Sequence, residues 1–279
     1  MTLLAILLGT LAAGIGSVWL AAVLSFGPMA RYTQHMLSLA AGALLSTAFM
    51  HLLPEAFEGG LEPHDLFLVL LGGLVFFFLL DKAELWHHGH EHHDPASGAD
   101  HHHRHHDHGH AAAHHHHHHH PDGQGKPRSG GSWAVLAGDS VHCFGDGILI
   151  ASAFMADLRL GAIAALSVLA HEVPHHVGDL TVLRTAANSR RAALVKVSLA
   201  GAVTALGGML GFWLLEQLKD YQSYFLVLAS SSFIYVALAD LIPQLQKHLS
   251  FRETVTQVFW LLAGIAMVVA VGRLFHAAH

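Results

Sequence analysis

The chain has 279 residues, of which 53% are hydrophobic and only 12% charged. Water-soluble domains carry about 25% charged residues, so a surface that faces water throughout is excluded. A formal charge of −6 with no basic, aromatic-interleaved patch excludes nucleic acid as a partner, and the single cysteine, Cys143, excludes an internal disulfide and any multi-cysteine zinc module.

A helix crossing the hydrocarbon of a bilayer needs about 20 mostly apolar residues. The first such stretch, residues 2–25, has no basic leader before it and reaches Leu24 without a charge. It is too long and too bare for a cleaved signal peptide and reads as the first span. The second, 33–56, carries His51, Pro54 and Glu55 near its end, and the third covers 65–86. Residues 87–131 then break the pattern. They hold 19 of the 29 histidines, mixed with Asp, Gly and Ala, and cannot bury an apolar core. Seven consecutive histidines, His114 to His120, look like a purification tag, but twelve more precede them in mid-chain. The segment reads as a natural, disordered loop that traps metal weakly at many sites.

Five more spans follow, at 132–156, 160–182, 193–215, 223–245 and 255–276, the seventh carrying Asp240. Backbone groups in lipid must satisfy one another, so each span is a helix. Small residues such as Gly207, Gly208 and Gly211 let the helices approach closely. The expected fold is therefore all-α and polytopic, with helices 1–3 in residues 1–86, the histidine loop at 87–131 and helices 4–8 in 132–279. Loops after the odd-numbered spans hold eleven of the fourteen Lys and Arg residues. The positive-inside rule places that side, including the histidine loop, in the cytoplasm and both termini outside it. The short, Ala-rich chain suggests a bacterial inner membrane, with lipid as its surroundings.

The chemistry concentrates in the fourth and fifth spans. One contains Asp139-Ser-Val-His142-Cys143-Phe-Gly-Asp146-Gly147, the other His171-Glu172-Val-Pro174-His175-His176-Val-Gly-Asp179. Each ionisable group at mid-membrane costs a few kcal/mol or more, so this density is not explained by packing. His142 and Asp146 are four apart and share a helix face, as do His171 and His175. Glu172 is three from His175 and four from His176. Two facing helices can thus present imidazoles and carboxylates to one point, a donor set that suits zinc and its first-row neighbours. Cys143 is angularly near Asp146 and can serve an adjoining site with Asp146, Glu172 and His175. Asp139, His176 and Asp179 lie a turn from the centre, as residues lining an ion path would. Pro174 is expected to kink the fifth helix, and Gly145 and Gly147 to loosen the fourth.

These two segments resemble the paired fourth- and fifth-helix motifs, His-Asn-Phe-x-Asp-Gly and His-Glu-x-Pro-His-Glu-x-Gly-Asp, of the ZIP (Zrt/Irt-like) family of metal transporters. The segments around His51, Pro54 and Glu55 and around Asp240 and Pro243 are also similar to that family. The resemblance runs over nearly the whole chain. It implies eight helices, uptake of divalent metal into the cytoplasm, and homodimers. Carried over by motif, one metal site falls on His142, Asp146, His171 and His175, and a second on Cys143, Asp146, Glu172 and His175. Cys143 stands where the family has Asn, and His176 where it has Glu. The thiol makes the second site softer and favours zinc, cadmium or copper over manganese.

The function expected is transport of divalent transition metals, zinc first, with iron, manganese and cadmium as the other candidates. The ion is cargo, and no cofactor or enzymatic activity is expected. The alternative is an intramembrane zinc peptidase, since His171-Glu172-x-x-His175 also fits His-Glu-x-x-His. Pro174 inside the motif and extra ligands from the fourth helix oppose it. A metal-efflux carrier of another fold is a second rival, opposed by the paired fourth- and fifth-helix motifs. Deleting the histidine loop is expected to change the metal sensitivity of cells expressing the protein while leaving transport in place. Complete loss of transport by a well-expressed deletion would contradict that role.

Overall fold

The computed structural model describes residues 1–25, 33–60, 62–89, 130–187, 189–245 and 250–277, and all regular structure among them is helical. Helix α1 runs over Thr2–Ser25. Helix α2 runs through Thr33–Thr47, Ala48–Leu52 and Leu53–Glu58. Then come α3 (Pro63–Gly89), α4 (Gly130–Ala156), α5 (Leu158–Ala187) and α6 (Arg190–Gln217). Helix α7 passes through Gln222–Tyr235, Val236–Leu241 and Ile242–Leu245, and α8 is Phe251–Ala277. The eight expected helices are present, most of them longer than the apolar stretches suggested. Helix α3 continues through 87–89 and α4 begins at Gly130, so the expected loop is shorter at both ends. Its remainder, 90–129, lies outside the described residues.

Six of the eight helices are long and apolar enough to cross a membrane. The two that fall short are α4 and α5, which carry the ionisable groups singled out above. They are held in the middle. Helices α3 and α8 expose broad apolar faces, among them Phe67, Leu71, Phe76, Val258, Phe259 and Leu262. Faces of that kind on an all-helical chain meet lipid, which makes this a multi-pass membrane protein. Helices α2 and α7 are mostly buried, and their Leu44, Leu52, Leu226 and Phe233 pack with Ile150 of α4 and Val168 of α5 in the main apolar core.

The α4–α5 pair is set by a very short turn. Only Asp157 separates the helices, and its Oδ1 accepts from the backbone N–H of Arg159 (2.9 Å) and Leu160 (3.1 Å). This caps α5 and occupies two of its unpaired donors. Antiparallel neighbours joined so tightly hold equal distances from the turn at equal depth. His142 and Glu172 are each fifteen residues from Asp157, hence level, about 22 Å along their helices at 1.5 Å per residue.

Helix α4 is also clamped on α6. A Cβ on Gly147 would run into the Thr204 carbonyl, and one on Gly207 into the Phe144 carbonyl, so both glycines mark backbone-to-backbone contact. In lipid, where apolar burial gives helices no advantage over tails, such close approach is a main source of association.

The π-helical backbone lies outside α4 and α5. Both α4 and α5 are continuous α-helices, through Gly145, Gly147 and Pro174. Single π-helical turns occur instead at Ala12–Gly16 in α1, Ala48–Leu52 in α2 and Val236–Leu241 in α7. Two of them have a proline cause. Pro54 and Pro243 have no N–H for the carbonyls of Met50 and Ala239, and those carbonyls lie inside the π turns.

Replacing Gly207 with Val is expected to separate α4 from α6, costing ~1–3 kcal/mol or more, because a carbonyl cannot rotate away as a side chain can. Gly145→Ala is the control, since nothing lies within 4 Å of a Cβ there. Thermal denaturation in detergent checks both; equal melting of the two variants would show that the contact is unimportant.

Candidate metal centre

Donor atoms from α4 and α5 meet in two groups that share one residue. In the first, His171 Nε2 lies 3.2 Å from Asp146 Oδ2 and 3.3 Å from Glu172 Oε1. His142 Nε2 lies 3.2 Å from Glu172 Oε1, 3.4 Å from His171 Nε2 and 3.8 Å from Asp146 Oδ2. A tetrahedral zinc ion with nitrogen and oxygen ligands at about 2.0–2.2 Å sets those ligands about 3.3–3.6 Å from one another. The five distances are close to the edges of that tetrahedron. The buried Asp146 Oδ2 and Glu172 Oε1 have no hydrogen-bond partner among the described residues. Uncompensated buried oxygens of this kind are costly, and a cation between them removes the cost.

The second group uses the other carboxylate oxygen. Glu172 Oε2 is 3.1 Å from His176 Nε2 and 3.7 Å from Cys143 Sγ. Asp139 Oδ1 is 3.7 Å from each of them. Glu172 thus faces both groups, one oxygen toward each. Cys143, Asp146, His171, Glu172 and His176 are all buried.

Orientation of the imidazoles comes from outer partners. His171 Nδ1 is 3.3 Å from the Ser167 carbonyl one turn back. With the proton on Nδ1, Nε2 is left as a lone pair toward Asp146 and Glu172. The Ser167 hydroxyl meets Thr47 Oγ1 of α2 at 2.6 Å, tying that turn to the core.

His175 departs from the grouping that the motifs implied. Its Nε2 sits 2.9 Å from Asp240 Oδ2 of α7 and belongs to neither group. Its ring still lies 5.6 Å from that of His142 and 6.1 Å from that of His171, centre to centre. In the first group its expected place is taken by Glu172. In the second, Asp139 and His176 stand where Asp146 and His175 were expected. His142, His175 and Asp240 keep 32%, 31% and 39% of their side-chain surface. The centre therefore opens on their side and is closed behind Cys143 and His176. Asp179, His51 and Glu55 are in neither group; His51 lies in the π turn of α2. Sequence reasoning did not find Ser17, Thr47 and Ser167. Only Ser167 had a signal, its position four residues before His171.

A family model described as "ZIP Zinc transporter" matches residues 1–272. The chain belongs to the ZIP family. Among curated relatives, human "Zinc transporter ZIP4" is 30% identical over 256 residues, 77% of this chain and 39% of its own. "Zinc transporter ZIP13" of Pongo abelii is 28% identical over 94% of this chain and 76% of its own. "Zinc transporter foi" of Drosophila melanogaster is 30% identical over 50% of this chain and 20% of its own. The chain thus spans well under half the length of two of these three relatives. Within the ZIP fold, the peptidase reading loses its footing. That reading needs His171 and His175 on one ion with Glu172 free as a base, whereas Glu172 faces both donor groups and His175 faces Asp240.

Because Glu172 faces both groups and Asp179 neither, Glu172→Gln is expected to lower zinc uptake at least as far as loss of an outer-shell partner would, about 10–100-fold. Asp179→Asn should fall much less. Uptake by the two variants, normalised to protein in the membrane, checks the difference; equal losses would remove the distinction.

Proposed function

We propose that this ZIP protein carries zinc and related divalent transition metals across a membrane toward the cytoplasm, through the centre between α4 and α5. The observation that carries the reading is the tetrahedral spacing of His142, Asp146, His171 and Glu172, with carboxylate oxygens that lack hydrogen-bond partners in a lipid-embedded bundle. The relatives' printed names, all zinc transporters, support zinc as the first cargo.

The ion enters on the half-exposed side, past His175 and Asp240. It exchanges water for imidazole and carboxylate, which suit zinc better than hard cations do. His175, within reach of both His142 and Asp240, hands the ion inward by rotation of its side chain. Transport needs ligands that let go, so a centre whose members have alternative partners suits passage better than storage. The surrounding helices then rearrange and the ion leaves toward the histidine-rich segment, which holds it at the cytoplasmic face. The positive-inside count supports both termini outside the cytoplasm, and the composition supports a bacterial inner membrane. Assembly as a homodimer follows from the family resemblance.

Uptake of radioactive zinc into cells expressing the protein tests direction and site together. Zinc should accumulate with the wild-type chain and fall to background with Asp146→Ala and His171→Ala, while both variants remain in the membrane. Reduced cell zinc with the wild type would reverse the direction. Near-normal uptake in both variants would remove the centre from the path.

A further inference from the structure

The surface shared by α1 and α6 at one end of the bundle is charged in one sense only. No Asp or Glu occurs in residues 1–54 or in residues 180–215, whereas the second stretch holds Arg184, Arg190, Arg191 and Lys196. Helix α6 opens on Arg190 and Arg191, both exposed. The Ser189 side chain already caps that end by accepting from the Ala192 N–H. Cations in the first turn of a helix oppose its macrodipole, so helix stability does not account for the pair. A topological signal needs cations at one end of the bundle; it does not need them on the rim of an apolar face.

That face is built by two antiparallel helices in close contact. A Cβ on Gly14 of α1 would meet the Gly201 carbonyl of α6, and one on Gly208 would meet Thr10. Val18, Ala21 and Ala22 of α1 pack with Ala193 and Val197 of α6. The pair leaves exposed Trp19 and Val23 on α1, and Val195 and Leu199 on α6. Arg191, Val195 and Leu199 are four apart and share one helix face. With Gly14 opposite Gly201, Trp19 is level with Lys196, and Arg191 lies five residues beyond, about 7.5 Å nearer the end of the bundle. An interfacial aromatic with apolar side chains on one side of it and cations on the other matches the order of acyl chain and phosphate in a phospholipid. We propose that this α1–α6 face holds an anionic phospholipid, with a chain along Val195 and Leu199 and the headgroup on Arg190 and Arg191. The lipid lies against the two helices that support the centre from outside it, since α1 supplies Ser17 to His176 and α6 is pressed onto α4. The proposal rests on the membrane setting alone, and neither the cargo nor its direction enters it.

The full-length protein in detergent is mixed with equal amounts of phosphatidylglycerol and phosphatidylcholine of matched chains, and the retained lipid is counted by native mass spectrometry. The wild type should retain phosphatidylglycerol in preference. Arg190→Gln combined with Arg191→Gln should cut that preference about five-fold for each charge removed, and lysine at both positions should keep it. Arg252→Gln, in the first turn of α8, should leave it unchanged. Glycerol phosphate at matched ionic strength should not displace the lipid. Equal retention of the two lipids by the wild type overturns the proposal. So does a fall of the same size with Arg252→Gln, which would make the preference a matter of net charge. Displacement by glycerol phosphate would leave a phosphate site with no part for the apolar face, and would also overturn it. A dimer lost in the Arg190→Gln, Arg191→Gln variant with lipid preference intact would give the face to a second copy of the chain instead. None of these readouts involves transport, so failure here leaves the zinc reading standing.

Discussion

A carboxylate buried among imidazoles and other acids, at the level where two lipid-embedded helices face each other, is the constraint that organises this protein. Glu172 is surrounded by His142, His171 and His176 and grouped with two other acids, Asp139 and Asp146. Moving a bare carboxylate into such a medium costs several kcal/mol even after relaxation. The sequence could have balanced it with a fixed cation and would then have a structural strut. It surrounds it with imidazoles and two further acids instead, a donor-rich cluster whose deficit of positive charge can be met by something that can come and go.

Most of the architecture serves to keep that deficit in place. The Asp157 turn levels His142 with Glu172, the glycine contacts press α4 onto α6, and α2 and α7 pack apolar side chains against the pair. Serines and a threonine hold the imidazoles without competing for metal. Ser167 turns His171 and is itself met by Thr47 of α2, while Ser17 of α1 turns His176. Each of these hydroxyls comes from, or is tied to, a helix outside the α4–α5 pair. The centre is therefore built from the whole bundle even though its ligands belong to two helices.

The division between what could be read from sequence and what could not follows the range of the interaction. Hydrophobic runs about 20 residues long report membrane spans locally, so all eight helices were legible. Spacings of three and four and a short connection pointed to a meeting of α4 and α5 donors, although His175 was expected among them. The partner of His175 was not legible, since Asp240 is 65 residues further on and nothing in the α5 motif says which way a half-exposed ring turns. The π turns of α1, α2 and α7 were not legible either. Pro174 was expected to kink α5; that helix is continuous through it, and two of the π turns precede Pro54 and Pro243. The packing of α5 against α1, α2 and α4 evidently holds its helix through the missing hydrogen bond.

That contrast separates holding an ion from reaching it. The ligand-bearing helices are the regular ones, fixed by a capped turn and by backbone contact, so distances among donors near the tetrahedral edge can persist. The three π turns lie in α1, α2 and α7; the first is followed by Ser17, which meets His176, and the third contains Asp240, which meets His175. A π turn exposes carbonyls and can migrate along a helix at little cost. Rigid α4 and α5 with adjustable neighbours is thus the arrangement in which access can change while the coordination geometry does not, and the half-exposed trio of His142, His175 and Asp240 marks the side on which that adjustment reaches the ion first.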